Sequence, residues 1–239
     1  MKTAPSSLVP KITASRRKVA VICTLIVMSV GLFVAGVNML SRAKARAERL
    51  VAIGRLSQMK LALHIYERDH GTLPPLNLRG NQEVPIQSWR ALILPQLGLE
   101  NSTQLNLSQP WNSDHNRQII DSVPSRFWVF FALRTEQLTS PVSTHILAYL
   151  GQGSIWDAKT GLPKGKMTEH PDAIMLIWIP RGHLHPLQPG DITEEEVRER
   201  VAKGQVVLFH AAGDRGRYGN VTIERGELVF HGREGRRDD

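Results

Sequence analysis

Residues 19–40 read VAVICTLIVMSVGLFVAGVNML, and residues 41–70 continue SRAKARAERLVAIGRLSQMKLALHIYERDH. The first stretch holds 22 residues without a charge. At the helical rise it spans about 33 Å, enough for a bilayer core of roughly 30 Å. Thr24, Ser29 and Asn38 are its only strongly polar members. The second stretch has no Pro, one Gly (Gly54), and many good helix formers. Ala52, Leu56, Met59, Leu63 and Tyr66 recur at helical spacing, with Arg55, Lys60, Glu67 and Arg68 assigned to the opposite face. Gly71 and Pro74-Pro75 then forbid continuation. One helix is therefore expected from about Val19 to about His70, greasy all round in its first half and amphipathic in its second.

The charge distribution agrees. Residues 1–18 carry five Lys/Arg and no acid, residues 42–70 seven against three, and residues 71–239 eighteen against nineteen. The net charge of +8 thus flanks one apolar segment while the body of the chain is neutral. That is a membrane pattern and not a nucleic-acid footprint. The lone cysteine, Cys23, excludes an intramolecular disulfide framework and multi-cysteine metal sites. A cleaved signal competes with an anchor: Ser15-Arg16-Arg17 resembles a twin-arginine start, and Ala45-Arg46-Ala47 has a small-x-small form. The length of the apolar run favours an uncleaved anchor. The basic counts on its two sides nearly tie, and the short basic tail places the amino end inside. Gly31 and Ala35 form a small-x-x-x-small pair of the kind that lets membrane helices approach.

The expected divisions are a basic cytoplasmic tail (1–18), a transmembrane helix (19–40), an α+β domain (41–232) and a disordered tail (233–239). In the domain, Ser88 to Pro95 reads as a short helix ended by proline. Strands are expected at Phe127–Leu133, His145–Leu150, Ala173–Ile179, Val206–His210, Asn220–Ile223 and Leu228–His231. Thr193 with Glu194, Glu195 and Glu196 is a capping box opening a helix that ends at Gly204, so these acids are capping charge. The fold class is α+β, with the long helix packed on a mainly antiparallel sheet.

Candidates for chemistry are few. There is no G-x-S-x-G, and Gly151-Gln152-Gly153 reads as a turn because no third glycine or helix follows. His183, His185 and Asp191 offer two imidazoles and a carboxylate for a divalent ion, although Pro180, Pro186 and Pro189 make the segment an extended loop. A solvent-exposed polar loop is the expected reading. His210 ends a strand and is expected to be an ordinary hydrogen-bonded histidine. Asn101-Ser102-Thr103 and Asn220-Val221-Thr222 match the glycosylation triplet. Trp89, Trp111 and Trp156 are candidates for ligand stacking, with core packing the competing role.

The motif order resembles a pseudopilin-like family of unknown function, expanded in planctomycete bacteria and labelled prepilin-type with an H-x9-D-G tail. The carriers are Arg55 to Tyr66, His70-Gly71, Pro74-Pro75, Ser88-Trp89-Arg90, Leu94-Pro95, Pro110-Trp111-Asn112, Asn116, Tyr149-Leu150-Gly151 and Gly153. They continue with His210, Asn220-Val221, and Gly226 to Phe230. The resemblance implies a pilin-like domain on a type II secretion pseudopilin-like anchor. The departures are specific. Ile22 stands where pilin signals have Gly, Val27 where they have Glu, the C-P-S-D element is absent around Val123–Pro141, and Arg225 replaces Asp. Processing before Cys23 is accordingly not expected.

The function expected is a non-enzymatic structural or interaction module, without catalytic, cofactor or metal residues. It would sit in the inner membrane with its domain periplasmic. Its partners would be the bilayer through Val19 to Leu40, its own copies or other envelope proteins, and not nucleic acid. The alternatives are an envelope ligand-binding module for a solute or glycan, and a metal-dependent hydrolase.

Overall fold

The computed structural model describes residues 11–79, 84–124, 128, 131, 143–180, 182, 184–213 and 217–233. Two compact units divide the chain, residues 1–49 and 50–239.

Helix α1 covers Lys11–His70, beginning eight residues before the expected start and ending where the sequence predicts. Among the described residues it is the one helix long and apolar enough to cross a bilayer, a property that signal sequences near an N-terminus share. Every residue from Val21 to Leu40 is exposed, including Leu32, Phe33 and Met39 at 72–76%. Gly71, at φ 77°, ends the helix, and its N–H donates to the Glu67 carbonyl at 2.7 Å. The His70 ring stacks on Tyr66 at 4.0 Å and its Nδ1 meets the Tyr66 carbonyl at 3.0 Å, closing the last turn.

In the second unit, β1 (Asn77–Leu78) and β2 (Gln87–Ser88) pair as a short antiparallel ribbon. Helix α2 is Asp114–Ser122, with the Ser113 side chain accepting from the Asn116 N–H. The main sheet has six strands. These are β3 (Ile146–Leu150), β4 (Ile174–Trp178), β5 (Ile192–Thr193), β6 (Leu208–Ala211), β7 (Tyr218–Glu224) and β8 (Glu227–Arg233). Their order is β5-β3-β4-β6-β7-β8. Only β5 against β3 is parallel. Helix α3 (Glu194–Ala202) follows β5 directly, opened by the expected Thr193/Glu196 capping box. The chain is therefore α+β, as the sequence predicts.

Strand alternation divides the core. Ile146, Ala148, Leu176, Trp178 and Leu208 share one cluster with Ala52, Leu56, Met59, Ala62, Leu63 and Tyr66 of α1. Leu147, Tyr149, Ile177, Phe209 and Ala211 face the other way, onto Val197 and Val201 of α3. One sheet face thus meets α1 and the other meets α3. The α1 stripe is 0–9% exposed, as expected from its spacing.

Four expectations need correction. Ser88–Pro95 is not one helix: Trp89–Ala91 forms a 3₁₀ turn, and Pro95 starts a second one at Pro95–Leu97. Proline lacks the N–H that the first turn leaves unpaired anyway, so it opens this turn instead of ending one. In the expected strand Phe127–Leu133, Trp128 is helical and Phe131 lies in a turn, while the other five residues fall outside the described set. Glu67 is buried, not on the solvent face, because its carboxylate accepts the Met167 N–H at 2.9 Å. Arg55 and Lys60 are half-buried: the Arg55 Nε is shut from solvent, and Lys60 donates to the Gly213 carbonyl. Arg68 is exposed, as expected. The buried stripe of α1 is wider than an apolar count shows, since loops cover its flanks with polar partners.

Candidate functional site

The described residues singled out in the sequence include members of a buried ion pair, of an aromatic stack and of the sheet. The 3₁₀ turn after β2 points Arg90 into the interior. The Arg90 and Asp191 side chains are 0% and 1% exposed, with Nη2 2.7 Å from Asp191 Oδ1. The same oxygen accepts the Trp89 indole N–H at 3.0 Å and the Ala148 N–H at 2.8 Å. Arg90 also donates to the Ile146 carbonyl (3.2 Å), Ser88 Oγ (2.6 Å) and the Gly190 carbonyl (3.3 Å). Removal from water pulls the Arg90 pKa down and the Asp191 pKa up, and the short contact between them opposes both shifts. Asp191 Oδ2 is buried without a partner among the described residues.

This arrangement reassigns Asp191. Asp191 is buried, against the expectation of a solvent-exposed polar loop, and it joins the Ser88-Trp89-Arg90 turn to β3 and to the chain entering β5. His183 lies outside the described residues. His185 stacks on Trp111 at 4.5 Å and meets Trp128 edge-on at 5.5 Å. Its Nδ1 accepts the Leu187 N–H at 3.2 Å, and burial pulls its pKa down to about 4. No cluster of three or more His, Cys, Asp or Glu that could hold a metal occurs among the described residues.

Trp89 and Trp156 are 0% exposed, with ring centroids 6.3 Å apart, and the Trp156 indole donates to the Pro74 carbonyl at 3.1 Å. These two tryptophans are core. Trp111 is half-buried and lines a cleft of about 600 Å³ with Asn77, Asn112 and Gln188. Its backbone N–H donates to the Ile86 carbonyl at 2.9 Å. Asn116, fully buried, staples the preceding loop by donating to the Asn106 and Pro110 carbonyls at 3.1 and 2.9 Å and accepting the Asn106 N–H at 2.8 Å. The spacing Pro110-Trp111-Asn112…Asn116 is the signal for this staple.

A second cleft, of about 900 Å³, lies over the α3 side of the sheet, where Phe230 meets Tyr149 and Phe209 edge-on at 5.5 and 5.2 Å. Its rim charges are largely paired, Arg217 with Asp172 at 3.0 Å and Arg198 with Glu194 at 3.2 Å. Glu194 also accepts the Gln152 N–H at 2.9 Å, which lowers its pKa. Gly151-Gln152-Gly153 is thus a turn tied to the start of α3. At Gly151 a side chain would run into Tyr149 Oη, 2.4 Å from where a Cβ would stand.

His210 is 2% exposed. Its ring meets the Ala211 carbonyl at 2.8 Å through Nδ1 and Ser57 Oγ at 3.4 Å through Nε2, and burial lowers its pKa to about 4. Ser57 in turn donates to the Ile53 carbonyl at 3.0 Å. This contact links β6 to α1. Of the two glycosylation triplets, Asn101 is exposed in a 3₁₀ turn and Asn220 is half-buried within β7.

Residues 41–130 are similar to the family described as Protein of unknown function (DUF1559). The matched span runs from the end of the apolar segment through the amphipathic half of α1, the Arg90 turn and α2. No curated protein and no solved structure matches the chain.

Proposed function

We propose that the protein is a single-pass, membrane-anchored, non-enzymatic structural or interaction module of the cell envelope, related to the type II secretion pseudopilins. Its N-terminus is cytoplasmic in this reading and its C-terminal domain periplasmic. The observation that carries it is the two-part character of α1. Residues 21–40 expose every apolar side chain, which water disfavours and a bilayer accepts, and the stripe Ala52, Leu56, Met59, Leu63 and Tyr66 is buried against the sheet. Such a helix can carry the domain directly on its anchor. The polar clusters described above support the non-enzymatic reading, because Arg90, Asp191, Asn116 and Glu67 each hold backbone in place. Prepilin-type cleavage is not part of the proposal, since Ile22 and Val27 occupy the two positions that define that signal.

Cross-linking in native membranes, followed by mass spectrometry, tests the role. The expected result is a small set of defined adducts that contain the full chain, joined to itself or to other envelope proteins. A chain that stays uncross-linked while the purified protein turns over a small substrate would overturn the proposal.

A further inference from the structure

The cleft beside Trp111 differs in chemistry from the rest of the surface. In a chain with 22% charged residues, none of the described residues lining it is charged. Its apolar walls include Ile86, Pro110 and Pro189. Its polar groups are three primary amides, Asn77, Asn112 and Gln188, and each carries a donor and an acceptor. Asn77 Oδ1 is shut from solvent and has no partner among the described residues. Trp111 stands in this lining as a rigid plate. His185 covers one of its faces at 4.5 Å and 15° between planes, and the Ile86 carbonyl holds its backbone.

We propose that this cleft binds a neutral, polyhydroxylated ligand, a carbohydrate, with the C–H face of a sugar ring on Trp111 and its hydroxyls on the amides. A hydroxyl both donates and accepts, as a primary amide does, so vicinal hydroxyls match the lining. Asn77 Oδ1, shut from solvent, is out of a ligand's reach, so the acceptors offered to the hydroxyls are the amide oxygens of Asn112 and Gln188. Proline-rich peptides also dock in aromatic-lined grooves, but prolines offer acceptors only and can engage just the donor half of each amide. An uncharged lining selects against anionic and cationic ligands, which would lose hydration with no counter-charge to replace it. A volume of about 600 Å³ suits a small ligand rather than a protein surface.

The test uses the full chain in lauryldimethylamine oxide micelles, whose headgroup carries no sugar. Isothermal titration is run with chitotriose, cellotriose and maltotriose, with trigalacturonate as an anionic control and a decaproline peptide as the competing class. At least one neutral trisaccharide should bind, and trigalacturonate should bind more weakly. Trp111→Ala should weaken the neutral sugar by about tenfold, the loss of one aromatic stack. Circular dichroism checks the fold of that variant. Asn112→Ala and Gln188→Ala, on loop residues outside the core, should each weaken binding severalfold and carry the test if Trp111→Ala unfolds. The proposal fails if no neutral trisaccharide binds, if binding is unchanged in all the variants that fold, or if decaproline binds and the sugars do not.

Discussion

Replacing Asp191 should destabilise the domain strongly. The carboxylate oxygen that meets Arg90 also takes the Trp89 indole and the Ala148 N–H, and the guanidinium is fully buried. Asp191→Ala therefore leaves a buried cation without its counter-charge and orphans two further donors. Breaking a buried pair from one side costs about 3–5 kcal/mol. For a domain of this size that lowers the melting temperature by roughly 10 °C. Asp191→Asn keeps an acceptor for Trp89 and Ala148 and removes only the charge, so it should fall between wild type and Asp191→Ala. In Arg90→Met with Asp191→Leu no charge remains buried, and this double variant should be less damaged than the sum of the singles. Thermal unfolding of the full chain in detergent, followed by circular dichroism and tryptophan fluorescence, measures wild type, Asp191→Ala, Asp191→Asn, the double variant and its two singles. A loss under about 1 kcal/mol for Asp191→Ala, or strictly additive singles, would refute this account of the core.

Acid should destabilise the domain between about pH 6.5 and 4. Burial lowers the pKa of His185 and of His210 to about 4 and that of His145 below its ordinary value. The unfolded chain binds those protons first, so stability is full above pH 6.5 and falls as pH drops, by at most about 3 kcal/mol for each of His185 and His210. His210→Gln should flatten the urea-unfolding profile over that window. At the β7–β8 hairpin, Arg225 and Gly226 have φ of 51° and 84°, the paired left-handed conformations that favour Asn-Gly or Asp-Gly. Arg225→Asn should raise stability by about 0.5–1 kcal/mol, and a lower melting temperature would contradict the turn assignment. On α1, Leu63→Asp should cost more than about 3 kcal/mol, whereas exposed Arg68→Asp should stay within about 0.5 kcal/mol; equal losses in urea unfolding would mean that the stripe does not pack.

The long helix, its stop at Gly71, the Thr193 capping box and the strand cores were legible because periodicity, capping chemistry and breakers are local signals. The widths of the buried faces were not. Arg55, Lys60 and Glu67 look like a solvated face in a helical wheel, yet Glu67 and Lys60 bond to Met167 and Gly213, 100 and 153 residues away. The Arg90–Asp191 pair was hidden for the same reason: its members stand 101 residues apart, and nothing near Asp191 marks it as an arginine partner. Proximity to His183 and His185 and to three prolines made Asp191 read as part of a solvent-exposed polar loop, with a metal ligand as the alternative. The three tryptophans read alike in the sequence, as stacking candidates with core packing the competing role, and only the fold buries Trp89 and Trp156 while leaving Trp111 half-buried. Short pairings such as β1–β2 and β5–β3 span two residues each and leave no periodic trace.

The intact mass of the protein extracted from native membranes bears most directly on the proposed anchor. The whole chain is required, 26.7 kDa or one methionine less, because Val19–Leu40 stays attached as the anchor. A membrane-free product beginning near Glu48, or a mature N-terminus at Cys23, would contradict it.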